Sequence, residues 1–173
     1  MTISIGSALP EATLYESTAF EGSCPVSPER VQVLEATRGK KIVIFSVPGA
    51  FTPTCSNKHL PGYVEQFEKF KALGVNEVWC VSVNDGFTMA AWGQQNGALG
   101  KVRMFGDGNG DFARALGLEL DLHRAGMGVR MQRCAMYVED GVVKVLRIES
   151  SGGFEVSDAN TMIGHLEALR SAG

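Results

Sequence analysis

Cys55 stands alone in the stretch "VPGAFTPTCSNKHLPG" (47–62), directly behind the apolar run "KIVIF". The spacing P-x-x-x-T-x-x-C places Pro48 and Thr52 ahead of the thiol, with Pro53 between them and the sulfur. A buried free cysteine usually packs as a small hydrophobe. Here a proline-stiffened turn, a threonine and the start of a helix coincide, and that combination suits a nucleophile. At a helix start the first backbone N–H groups lack intrahelical partners and the dipole favours negative charge, so a thiolate is stabilised over the thiol. Thr52 adds a hydroxyl able to donate to the thiolate or to an oxygen approaching it. Pro48 and Pro53 shield the sulfur from bulk water, leaving a pocket better matched to a small polar oxidant than to a bulky substrate.

Competing thiol chemistries fit poorly. A phosphatase-type cysteine loop needs an arginine and a run of backbone donors after the cysteine, but residues 56–61 are "SNKHLP". A C-x-x-C oxidoreductase is excluded by Lys58. Cys55 and His59 lie one helical turn apart, yet two ligands do not close a metal site, and His123 and His165 are scattered, so no metal is expected. His59 reads as a structural cap within its helix rather than a general base, because a pre-formed thiolate needs none. The stretch Asp107 to Gly110 has too few carboxylates for a calcium loop and reads as a turn.

The elements that must hold this thiol follow from periodicity. Residues 41–47 read as a buried strand ending at Pro48-Gly49. Leu60, Val64, Phe67, Phe70 and Leu73 then recur with helical spacing up to Gly74, with a kink expected from Pro61. A strand over 76–83, a helix from about Asp85 to Asn96, a strand over 102–107 and a helical segment in "GDFARALGL" continue the β-α alternation, which favours a mainly parallel sheet covered on both faces. The rhythm changes at 133–149, where two alternating runs meet at Asp140-Gly141, a type I′ hairpin signal. A last helix starts at Ser157 or Asp158 and turns Ala159, Met162, Ile163, Leu166 and Leu169 to one face. The order β-α-β, extra helices, then β-β-α is that of an α/β, thioredoxin-like fold with an N-terminal extension, a mid-chain insertion and a mixed sheet covered by helices. Residues 1–173 read as one domain, and 17–30 as its one long loop.

The segments "VPGAFTPTCSNKHLPGYVEQ", "VSVNDGFTMAAWG", "GKVRMFGDGNGDFARALGL" and "RMQRCAMYVEDGVVKVL" closely resemble the peroxiredoxins, in particular the atypical type-5 branch with plant type II and many bacterial members. The resemblance runs from about residue 2 to 170. It implies a thiol peroxidase in which Cys55 is the peroxidatic cysteine, Thr52 and Pro48 complete the pocket, and an arginine ahead of the late hairpin stabilises the thiolate and holds the peroxide oxygens. Arg133 matches that position, with Arg130 as the fallback. Arginine suits the role because it is always charged and presents a forked set of donors. The implied substrates are hydrogen peroxide and small alkyl hydroperoxides, and the implied assembly is a homodimer through pocket-side loops, with Phe51, Phe87, Met89 and Trp92 as contact candidates.

The departure from the family concerns how Cys55 is restored. Single-chain disulfide members carry a resolving cysteine shortly before the last helix, where this chain has "ESSGGFEVSD". The expected cycle is therefore of the one-Cys type, with no bound cofactor, glutathione as reducing co-substrate and glutaredoxin as partner, thioredoxin being possible. Cys24, in the 17–30 loop, is the weak candidate for a resolving thiol. Cys80 alternates within an apolar strand and reads as core, and Cys134 faces away from Arg133 by strand alternation. A second function class, a peroxide sensor or relay that forms mixed disulfides with a partner protein, would use the same Cys55.

Composition narrows the setting. The chain has 173 residues, 45% of them hydrophobic, and a formal net charge of −3. With no block of like charge there is no footprint for nucleic acid or an anionic membrane. The N-terminus lacks the pattern of a signal or transit peptide, so the expected location is the cytoplasm, where the four cysteines stay reduced.

Overall fold

In the computed structural model, which describes residues 1–172, the chain begins with β1 (Thr13–Glu16), β2 (Phe20–Glu21), β3 (Cys24–Pro25), β4 (Glu29–Gln32), α1 (Val33–Thr37) and β5 (Lys41–Ser46). A π-helical turn (Cys55–His59) leads into α2 (Leu60–Glu65) and α3 (Phe67–Ala72). Then come β6 (Glu77–Ser82), α4 (Gly86–Gln95), β7 (Val102–Gly106), α5 (Asp111–Leu116), β8 (Glu119–Asp121), β9 (Val129–Met131), β10 (Cys134–Glu139), β11 (Val142–Ile148) and α6 (Ala159–Ala172).

Seven strands form the main sheet in the order β11-β10-β5-β6-β7-β1-β4. Only β5, β6 and β7 run parallel; β10, β11, β1 and β4 are antiparallel to their neighbours. The sheet is thus less parallel than the early β-α alternation suggests, because the N-terminal extension and the late hairpin add antiparallel strands to its two sides. Alternation along β5 separates two cores. Val43 and Phe45 face a cluster with Tyr63, Phe70, Trp92 and Met162, while Ile42 and Ile44 face one with Trp79, Phe105, Phe112 and Leu116. Each fully buried side chain of this size contributes roughly 1.5–3 kcal/mol.

Two expectations need correction. The 17–30 segment holds the β2–β3 hairpin and the start of β4, so its Ser/Pro-rich composition conceals short pairings. The stretch between α5 and β10 carries the β8–β9 hairpin rather than helix alone. The helical path is irregular where Pro61 led to the expectation of a kink: Leu60 donates its N–H to the Cys55 carbonyl, a π-type bond, and Pro61, which has no N–H to give, follows directly. A second interruption falls at Gln66, between α2 and α3. At the late turn, Asp140 and Gly141 take φ of 47° and 76°, the pair of positive values that a type I′ turn needs. Asp158, rather than Ser157, caps α6, accepting from Thr161 N at 3.0 Å and Thr161 Oγ1 at 2.6 Å. Leu169 stays exposed near the end of α6.

Candidate active site

Cys55 lies in the first turn after the 47–54 loop, and its side chain is wholly enclosed, with 0% exposure. The loop is fastened from below and from one side. Asn84 Oδ1, just past β6, accepts from Ala50 N at 3.0 Å and from Ser82 Oγ at 2.7 Å. Arg130, on β9, donates from Nε to the Met127 carbonyl at 2.8 Å and from Nη1 to the Pro48 carbonyl at 3.3 Å. Ser56, next to the thiol, accepts from the indole Nε1 of Trp92 at 2.9 Å. Phe51, between these anchors, takes a φ of 61° and remains 52% exposed.

Arg133 reaches the sulfur. Its Nη2 donates to Cys55 Sγ at 3.3 Å and its Nη1 to His59 Nδ1 at 2.9 Å, while the guanidinium lies over the Phe154 ring, 5.7 Å from its centroid. The two arginines thus divide the work: Arg133 meets the thiol and Arg130 holds the loop around it. Thr52 differs from expectation, because its hydroxyl donates to the Gly49 carbonyl at 2.7 Å. With that proton engaged, Thr52 Oγ1 is left with acceptor capacity only.

His59 is more than a helix cap. Fully buried, it packs at a tilt against Phe45 and edge-on to Phe154, and its Nε2 donates to the Ser157 carbonyl at 3.0 Å. That bond leaves Nδ1 as the acceptor for Arg133. Burial first, and the Arg133 charge second, push its pKa down from 6.5 to about 3, so the ring stays neutral and unfit as a proton acceptor near neutrality. Sequence spacing placed His59 near Cys55 but could not reveal Arg133 as its partner, 74 residues away in the chain.

The remaining cysteines separate cleanly. Cys134 is buried on the opposite face of the sheet, its Sγ 3.0 Å from Ser46 Oγ, and burial pushes its pKa up to about 11. Cys80 is buried in the same cluster as Cys55, and burial followed by the neighbouring Cys55 raises its pKa well above the usual thiol value. Cys24 is exposed on the β2–β3 hairpin. Among the described residues no group of three or more His, Cys, Asp or Glu side chains could hold a metal ion, and no helix is long and apolar enough to cross a membrane.

Beside the thiol opens a cavity of about 430 Å³. Pro48, Thr54 and Arg133 line the side next to Cys55, Leu120 and Leu122 the apolar wall, and the segment 149–153 the rim. Two of these walls come from parts of the chain whose structure was not legible beforehand, the β8–β9 region and the glycine-containing turn after β11.

A strand-to-helix thiol met by an arginine on a mixed, thioredoxin-like sheet defines a class of thiol-dependent oxidoreductases. The Redoxin family profile matches residues 5–163. The chain is 48% identical over 166 residues to Peroxiredoxin-2E-2, chloroplastic, of Oryza sativa, covering 94% of this chain and 72% of that one. It is 43% identical over 161 residues to Peroxiredoxin-2B of Arabidopsis thaliana, covering 93% and 96%. Among solved structures it matches reduced Prx3 of Vibrio vulnificus in complex with H2O2, with a TM-score of 0.88 and 45% identity, covering 95% of this chain and 99% of that one. The chain belongs to the Redoxin family and, within it, to the peroxiredoxins of the type II and type-5 kind, which are thiol peroxidases.

Proposed function

We propose that Cys55 is the peroxidatic thiol of a one-Cys cycle that reduces hydrogen peroxide and small organic hydroperoxides, and that glutathione with glutaredoxin restores it. The observation that carries this reading is the Arg133 Nη2 donor 3.3 Å from an enclosed Cys55 Sγ. The thiolate attacks one peroxide oxygen, an S–O bond forms, and the O–O bond breaks. The departing oxygen takes a proton and leaves as water or an alcohol, and Cys55 becomes a sulfenic acid. Arg133 offers charge-assisted donors to the oxygens in flight, Thr52 Oγ1 accepts the hydroxyl proton side of the peroxide, and Pro48 limits access. The H2O2-bound Prx3 of Vibrio vulnificus, similar over nearly the whole chain, supports this substrate class.

Recharging consumes two thiols. One glutathione condenses with the sulfenic acid, releasing water and leaving a mixed disulfide, and a second thiol, from glutathione or glutaredoxin, displaces Cys55. The placement of the other cysteines favours this route: Cys80 and Cys134 are buried and Cys24 lies on an exposed hairpin. The cytoplasm, where thiols stay reduced, suits such a cycle. A homodimer through the pocket-side loops fits Phe51 and Phe87, which are exposed, but not Met89 or Trp92, which are wholly buried in the core.

Mass spectrometry after one equivalent of hydrogen peroxide, with and without glutathione, tests the cycle. A glutathione adduct at Cys55, and steady turnover with glutathione plus glutaredoxin, are expected. A Cys24–Cys55 disulfide, or turnover with thioredoxin alone, would overturn the assigned reductant, and negligible turnover by a reactive Cys55 would point to the sensor or relay reading.

A further inference from the structure

We propose that Glu149 is a positioning residue for the peroxidase site: its carboxylate gathers the segment 150–157 and, through Ser157 and His59, sets the Arg133 guanidinium against Cys55. This rests on the reading of Cys55 as the reactive thiol.

Glu149 follows directly on β11 and is 8% exposed, an unusual place for a carboxylate. Among the described residues no lysine or arginine forms an ion pair with it. Its oxygens are satisfied by the chain that comes next. Glu155 N reaches Oε1 and Oε2 at 2.9 and 3.0 Å, Val156 N reaches Oε2 at 2.9 Å, and Ser157 N and Oγ reach Oε2 at 2.8 and 2.6 Å. These bonds hold the Glu149 pKa below the ordinary carboxylate value although burial alone would raise it.

The folded segment then presents the Ser157 carbonyl to two buried donors, His59 Nε2 at 3.0 Å and Tyr63 Oη at 2.7 Å. His59 is thereby fixed in the tautomer whose Nδ1 accepts from Arg133. A second, shorter path exists, since Glu149 N donates to the Arg133 carbonyl at 3.0 Å. Side chain and backbone of one residue therefore restrain both ends of Arg133. The same clamp holds Phe154, over which the guanidinium lies, and the turn 150–153 that rims the cavity beside Cys55.

Glu149→Gln tests this, because it keeps the size of the side chain but turns an amide NH2 toward backbone N–H donors. The readout is the rate of Cys55 alkylation by iodoacetamide between pH 5 and 8, which needs no peroxide, alongside the rate constant for hydrogen peroxide. Losing the aim of one charge-assisted donor predicts both rates falling on the order of tenfold at pH 6. In an Arg133→Gln background the same change should add less than about twofold, since the two residues act along one path. Ser157→Ala, which removes one donor and keeps the carbonyl, gives a milder effect in the same direction and covers the case in which Glu149→Gln does not fold by circular dichroism. Unchanged alkylation in folded Glu149→Gln or Ser157→Ala, or full additivity with Arg133→Gln, overturns the inference. If Cys55→Ser retains peroxide consumption, the reading of Cys55 fails first, and that result is distinct from either of the others.

Discussion

Removing the ionisable ring at His59 should flatten the acid dependence of stability. In the folded chain burial and Arg133 hold the His59 pKa at about 3, against 6.5 for an ordinary histidine. Between these values the unfolded chain binds a proton that the folded chain refuses, so stability is lost as pH falls through the window from about 6.5 to 3. At pH 5 the unfolded-state ring is almost fully protonated and the folded-state ring almost fully neutral. Integrating the difference in proton uptake from pH 7 to pH 5 gives about 1.4 log units, or about 2 kcal/mol. His59→Asn keeps an oxygen able to accept from Arg133 but does not titrate. Urea unfolding of both proteins at pH 7, 6 and 5 should show the wild type losing about 2 kcal/mol more than the variant over this range. Glu77, whose pKa is lowered and which lies outside the His59 network, loses stability toward acid equally in both proteins, and repeating the comparison in a Glu149→Gln background removes the carboxylate coupled to His59 through Ser157. Parallel losses, agreeing within about 0.5 kcal/mol, would refute the reasoning, as would an imidazole resonance of His59 that titrates near pH 6.

Two further changes probe the loop and its support. Thr52→Val removes the only acceptor assigned to the peroxide hydroxyl while preserving shape; its rate constant with hydrogen peroxide should fall roughly tenfold with iodoacetamide alkylation little altered, and an unchanged peroxide rate would remove Thr52 from the reaction. Gly106→Ala would put a Cβ 2.7 Å from the backbone of Asn84, Asp85 and Gly86, so a loss of about 1–3 kcal/mol in urea unfolding is expected, together with slower peroxide reduction because Asn84 anchors Ala50; Gly164→Ala, with nothing within 4 Å, should instead gain up to about 1 kcal/mol.

The legible parts of the molecule were those with strong local signals. The apolar β-branched run of β5, the Asp140-Gly141 turn and the P-x-x-x-T-x-x-C spacing each have a short-range physical cause, and the strands and thiol appear where those causes place them. The short β2, β3, β8 and β9 strands were not legible, since two or three paired residues leave no periodicity to read. Met89 and Trp92 look like contact residues in a helix of mixed polarity, yet α4 is packed deeply enough to bury both, and Trp92 anchors Ser56. The roles of His59 and Glu149 depend on partners far along the chain, through Arg133 and Ser157, and no local pattern encodes such meetings.

The complete enclosure of the Cys55 sulfur acts as a filter in time as well as in size. With none of the side chain exposed, even water does not touch the sulfur, so a small peroxide needs a slight widening of the pocket, whereas a bulkier thiol reductant would need the turn around Cys55 to open. If that turn is open for roughly one part in a hundred, the reductant meets an oxidised site whose effective reactivity is about a hundredfold lower. On the proposed cycle, oxidation and recharging would then answer to different populations of the same protein, and the stability of a single helical turn would set how long a Cys55 sulfenic acid persists.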